Sequence, residues 1–178
     1  PCGTLFPYTT LFRSTRAILG LGILKAARPA RKLGFGADII CVAACDTDED
    51  AKEESCFLGI VCKKARNEYN CIIISAALGY EGHKIGAPAK YNTTICVGSV
   101  DDEFKIFNSP HGLEVDLVAP GKKIYTGIEK EDFSYIGNTS ASTAIVAGIA
   151  GLYYSYKLGI LKDPKFKDLK NCEEALCG

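Results

Sequence analysis

An α/β domain in three layers, with a mainly parallel sheet between helices, is predicted by three features of the sequence. Three runs, ADIICVAA (residues 37–44), CIIISAAL (71–78) and TTICVGSV (93–100), are apolar at consecutive rather than alternating positions, as strands covered on both faces are. Stretches with apolar residues at helical spacing precede the first run and separate it from the second. The resulting order of helix, strand, helix, strand and strand is that of a parallel sheet whose crossovers pack on its faces.

The chain has 178 residues, enough for one domain with a real core but short for two. It is 47% apolar, rich in Gly and free of Met and Trp, which suits a compact domain and excludes a disordered segment. Its 21 basic and 21 acidic side chains cancel, so no bulk field directs it to nucleic acid or to an anionic bilayer. No apolar run is long enough to cross a membrane. Neither nucleic acid nor membrane is an expected partner, and oligomeric state is left open. The nine cysteines include no C-x-x-C pair and no Cys/His quartet of zinc type, so no metal and no cofactor is expected. Cys41, Cys71 and Cys96 fall within the strand runs, where a thiol serves as a small buried hydrophobe. The odd total leaves at least one thiol unpaired.

The first helix is expected over residues 16–33, with Pro29 able to kink or end it. Asp50 followed by Glu53 has the spacing of a capping arrangement, and opens a helix expected to reach about Tyr69. Its apolar stripe is read as Cys56, Phe57, Ile60, Val61, Ala65 and Tyr69. Past the third strand, VDLVAPGKKIYTG (115–127) reads as two strands about a Pro-Gly turn. A small-residue helix is expected from Ser140 to about Lys157, and an amphipathic one over 165–177. Ligands of parallel sheets bind at the carboxyl ends of the strands, which directs attention to the loops after Ala44, Ala77 and Val100.

The stretch NTSASTAIVAG (138–148) puts polar residues immediately before a helix of Ala, Gly, Ile and Val. A hydroxyl at the first turn of a helix lies beside unpaired backbone N–H groups and the positive end of the dipole, a place suited to developing negative charge. The plainer alternative is that Ser140 caps the helix. The stretch resembles the nucleophile motif of subtilisin-like serine proteases, G-T-S-x-A-x-P-x-x-A-G. Four further blocks are similar to that family in the same order: ADIICVAAC to its cleft strand, IIISAALGYEG to V-V-A-A-A-G-N-E-G, APAKYNTTICVGSVD to P-A-x-Y-x-x-V-I-x-V-G-A-V-D, and VDLVAPG to L-D-V-x-A-P-G.

The resemblance implies a three-layer subtilisin-like fold whose N-terminal part is missing, with residues 15–178 forming a partial peptidase domain. Residues 5–14, LFPYTTLFRS, resemble a translated sequencing adapter and are set aside as an artefact of residues 1–14. It further implies a serine-type endopeptidase acting on a peptide or protein substrate. Ser140 would be the nucleophile and Tyr80 would occupy the oxyanion-donor position, which is Asn in the family. Ala43, Ala44, Cys45, Ala77, Leu78 and Gly79 would line the substrate cleft. The family order of Asp, His and Ser places the base and its orienter upstream. His83 and His111 stand outside the family's H-G-T-H setting and read as surface loop residues, so the chain alone is expected to be inactive. Secretion is the family's habit.

Asn138 replaces the motif's Gly, Ala144 its Pro, and Tyr80 its Asn. Asn138 and Asn92 also open glycosylation sequons. These departures keep open a noncatalytic, partner-binding pseudoprotease. GLGIL (20–24) raises a nucleotide-binding alternative, although no complete G-x-G-x-x-G follows a strand there.

Overall fold

The computed structural model describes residues 16–46, 56–78, 84–129 and 132–178. The adapter-like residues, the Asp50/Glu53 cap, and Gly79, Tyr80 and His83 lie outside the described residues. Strands β1 (Ile39–Val42), β2 (Ile72–Ala76), β3 (Ile95–Val100) and β4 (Leu117–Pro120) pair in parallel in the order β1-β2-β3-β4. Ile39 is in register with Ile72, Ile74 with Ile95, and Val97 with Leu117. Every residue of β2 and β3 is buried, as continuous apolar runs require when helices cover both faces.

Helices α1 (Arg16–Ala27) and α2 (Phe57–Tyr69) cover one face, where Ile23, Leu58, Val61, Cys62 and Ile73 form a core with Tyr91. After the antiparallel hairpin of β5 (Ile124–Glu129) and β6 (Asp132–Ile136), helix α3 (Asn138–Tyr154) crosses the other face. There Ile72, Ile74, Ile95 and Val97 meet Val146 and Ala150 of α3 and Leu169 and Cys172 of α4 (Leu169–Cys177). A π-helical turn, Ser155–Ile160, ends α3, and a 3-10 turn, Pro164–Lys167, leads to α4, whose start is capped by the Asp168 carboxylate accepting from the Lys170 N–H.

The structure corrects the expected elements at several points. Helix α1 stops at Ala27, two residues before Pro29, and a 3-10 turn at residues 30–32 follows. Gly20 and Gly22 lie inside α1, which removes the nucleotide-loop reading, and Gly20 instead admits the Phe57 ring, whose Cε1 would stand 2.7 Å from an added Cβ. With Phe57 and Ile60 exposed, the buried face of α2 is Leu58, Val61, Cys62 and Ala65. Strand β1 is shorter than its apolar run and Cys41 is exposed, because β1 is an edge of the described sheet; Cys71 and Cys96 are buried as expected. Strand β6 falls in a stretch for which no element was expected. On this hairpin, Tyr125 stacks on Phe133 with ring centroids 5.2 Å apart.

Burial pushes the Cys71 and Cys96 thiols up to about 12, well outside the range in which thiolate forms. Burial also raises the Cys41 thiol and brings that of Cys177 to about 11, but these two side chains are exposed, so iodoacetamide on the folded chain is expected to modify them among the described cysteines and to spare buried Cys62, Cys71, Cys96 and Cys172 until denaturant is added. Mass spectrometry of the peptides checks this.

At the far end of the sheet, Asn70 ends α2 in the left-handed conformation at φ 52°, and its carboxamide reaches across to the Lys167 carbonyl at 2.7 Å and the Leu169 N–H at 3.0 Å. Beside it, Arg66 Nη1 of α2 donates to Glu173 Oε1 of α4 at 2.6 Å. Burial raises the Glu173 pKa, and the Arg66 charge only partly offsets this. The folded state thus binds this proton more tightly than the unfolded one, so stability falls as pH rises through the interval above the ordinary glutamate value. Arg66→Ala removes the offset and widens that interval. It is expected to cost about 1–3 kcal/mol at neutral pH, and less near about pH 5, in urea melts.

Candidate active site

The carboxyl ends of three strands and the first turn of α3 meet through side-chain hydroxyls. Thr139, buried at 2% exposure, donates from Oγ1 to the Leu78 carbonyl just beyond β2 at 2.8 Å. Ser140 is exposed and donates from Oγ to the Ala43 carbonyl just beyond β1 at 3.3 Å. Ser142 is fully buried and donates to the carbonyls of Ala119 and Pro120 at the end of β4, at 3.0 and 3.1 Å. One helical turn is thereby tied to sites 97, 61 and 23 residues earlier in the chain.

The N-cap of α3 is Gly137, with no side-chain cap bond, so the simple capping role for Ser140 is corrected: its hydroxyl faces the end of β1. Small residues make the approach possible. A Cβ on Gly121 would lie 2.0 Å from Ser99 Oγ, 2.6 Å from Ser142 Oγ and 2.9 Å from the Asn138 carbonyl, and one on Gly137 would lie 2.8 Å from the Gly121 carbonyl. The Asn138 N–H donates to that same Gly121 carbonyl at 2.7 Å.

Asn138 has φ 67°, in the left-handed region, which explains how it can replace Gly: Asn tolerates that conformation better than other side chains. Its Oδ1 accepts from Asn108 Nδ2 at 3.1 Å, a partner that no local motif had indicated.

Of the residues expected to line the cleft, Ala43 and Ala44 are exposed beside Ser140, and Cys45 and Leu78 are half-buried. Ala77 instead lies wholly in the interior with Ile85, Ala89 and Cys96, and its N–H is bonded to Val97, so its side chain is not available to a ligand. Gly79 and Tyr80 lie outside the described residues. Burial, with the Asp46 charge adding to it, raises the Cys45 thiol, which keeps it protonated at neutral pH and unsuited to nucleophilic attack. His111 is exposed, and among the described residues no hydrogen bond joins it to Ser140. The small residues and hydroxyls around Ser140 define an anchored helix N-terminus open to solvent at the strand ends, the position where α/β folds place ligand-facing groups.

A parallel α/β sheet of this topology with a serine at that turn is a subtilisin-like fold. The profile of the subtilase family matches residues 14–170, and the chain belongs to that family. Subtilisin DY of Bacillus licheniformis is 34% identical over 90 residues, which cover 47% of this chain and 33% of the relative. The halolysin-like extracellular serine protease Nep of Natrialba magadii is 29% identical over 93 residues, 52% of this chain and 17% of the relative. The chain thus spans a third or less of the length of these relatives. Among solved structures, the prenylagaramide maturation protease PagA superposes with a TM-score of 0.70 at 26% identity, covering 86% of this chain and 54% of that one.

Proposed function

We propose that the chain is the part of a subtilisin-type serine endopeptidase that carries the nucleophile, Ser140. The observation that carries this reading is the exposed Ser140 hydroxyl, 3.3 Å from the Ala43 carbonyl at the N-terminal turn of α3, over the strand ends. In such an enzyme the hydroxyl attacks the scissile peptide carbonyl while a histidine takes its proton and an aspartate orients that histidine. The helix N-terminus favours the negative charge that develops on the carbonyl oxygen. The Ala43-Ala44-Cys45 edge offers backbone groups for an extended peptide to pair with.

Without a base a hydroxyl is a weak nucleophile, and neither His83 nor His111 supplies one in the family's setting. The 178 residues alone therefore do not hydrolyse peptides; catalysis needs His and Asp from sequence beyond them. Tyr80 stands where the family has its Asn donor. Loss of such a donor lowers turnover about 10² to 10³-fold, a magnitude measured in subtilisin, a member of this family. An extracellular relative supports a secretory route for the whole protein.

Asn138 and Tyr80, standing where the family has Gly and Asn, favour a second reading, a pseudoprotease that keeps the fold to bind peptides or partners. An assay of the isolated chain and of the full-length protein on a fluorogenic peptide separates the two. Turnover by the full-length protein alone, blocked by a fluorophosphonate, supports the enzyme. A folded but silent full-length protein contradicts it.

A further inference from the structure

We infer that Ser142 is a positioning residue for Ser140, an anchor that fixes the first turn of α3 to the end of β4; this rests on the reading of Ser140 as nucleophile. In G-T-S-x-A-x-P the corresponding residue is Ala, so the hydroxyl is an addition of this chain. A serine within a helix ordinarily bonds back to the carbonyl four residues earlier. Here that carbonyl, of Asn138, is the most distant of three acceptors at 3.5 Å, while Ala119 and Pro120 stand at 3.0 and 3.1 Å. The single hydroxyl proton is thus directed out of the helix, to an element 22 to 23 residues earlier.

Ser142 is 0% exposed, and Ser99, 1% exposed, presents to the same Gly121 an Oγ that has no hydrogen-bond partner. Gly137 contributes no side-chain cap, and Ala144 replaces the proline that would stiffen this part of the helix in the motif. The ties on either side of Ser140 are therefore Thr139 to Leu78 and Ser142 to β4, with Asn138 N–H to Gly121 behind them. Release of Ser142 removes the side-chain tie between this turn and β4 and leaves the backbone bond of Asn138 to Gly121 to hold that side. An error of about 1 Å in a reacting group can lower rate by as much as about a hundredfold, so a loss of bond without loss of fold is visible in chemistry.

The test uses the full-length protein with Ser142→Ala, and Val146→Ala as a variant that loosens the core side of the same helix. Fluorophosphonate labelling of Ser140 is timed well below the unfolding temperature, and hydrogen exchange is followed over residues 138–144. Ser142→Ala is expected to slow labelling roughly tenfold and to speed exchange in that segment, whereas Val146→Ala lowers the unfolding temperature with neither effect. Wild-type labelling and wild-type exchange in Ser142→Ala, whatever its stability, overturn the anchor. If the parent protein takes no label while Ser142→Ala still speeds exchange at 138–144, the anchor stands and the nucleophile reading fails.

Discussion

Ser140→Ala in the full-length protein is expected to abolish peptide hydrolysis, lowering kcat by about 10⁶-fold with little change in KM, the scale of loss measured when subtilisin, a relative in the same family, loses its nucleophile. The reasoning is local. The Ser140 side chain is exposed and, among the described residues, its one hydrogen bond runs to the Ala43 carbonyl, so its loss removes a single surface bond and leaves the core as it was. Thermal stability should therefore shift by less than about 1 kcal/mol. Steady-state kinetics beside a thermal melt check both halves. A variant that keeps more than a few per cent of the parent's turnover would place the chemistry elsewhere.

Gly121→Ala is expected to be strongly damaging for a single added methyl, destabilising by about 3 kcal/mol, the upper end of the usual cost of overpacking. The glycine is not required here by its backbone conformation; the space around it is what matters. The added Cβ would fall 2.0 Å from Ser99 Oγ and 2.6 Å from Ser142 Oγ, both fully enclosed, and 2.9 Å from the Asn138 backbone carbonyl. The two hydroxyls could rotate away only into packed neighbours, and the carbonyl could move only with the start of α3. Strain therefore passes to the turn that carries Ser140, and activity should fall along with stability. Chemical denaturation measures the first effect and labelling of Ser140 the second. Wild-type stability in Gly121→Ala would mean that β4 and α3 stand farther apart than described.

Much of the fold was legible because parallel strands buried on both faces leave a simple trace. The continuous apolar runs of β2 and β3, IIISA and ICVGSV, pointed directly to their burial. The same logic failed at Cys41, since a continuous apolar run does not reveal whether its strand is central or at an edge. On α2 the sequence from Cys56 to Cys62 is apolar at nearly every position, so periodicity fitted two stripes one residue apart; the Phe57 ring settling on Gly20 of α1 decides between them. Strand β6 was hidden because Phe133 and Tyr135 alternate with polar residues over too short a run, and their ring contacts with Tyr125, stacked for Phe133 and tilted for Tyr135, depend on a partner strand.

The site divides in the same way. Ser140 could be found from its motif and from the logic of helix N-termini. The ties that hold it, from Thr139 to Leu78 and from Ser142 to Ala119, join residues tens of positions apart and carry no local pattern. Asn138 was visible as a departure from the motif, but its left-handed φ and its link to Asn108 explain why the departure is tolerated.

The most direct measurement is peptide mapping of the full-length protein after reaction with a fluorophosphonate. The expected result is one adduct, on Ser140, that forms only in the folded state. An unmodified Ser140 under conditions in which a subtilisin is fully labelled, or an adduct on another residue, contradicts the account.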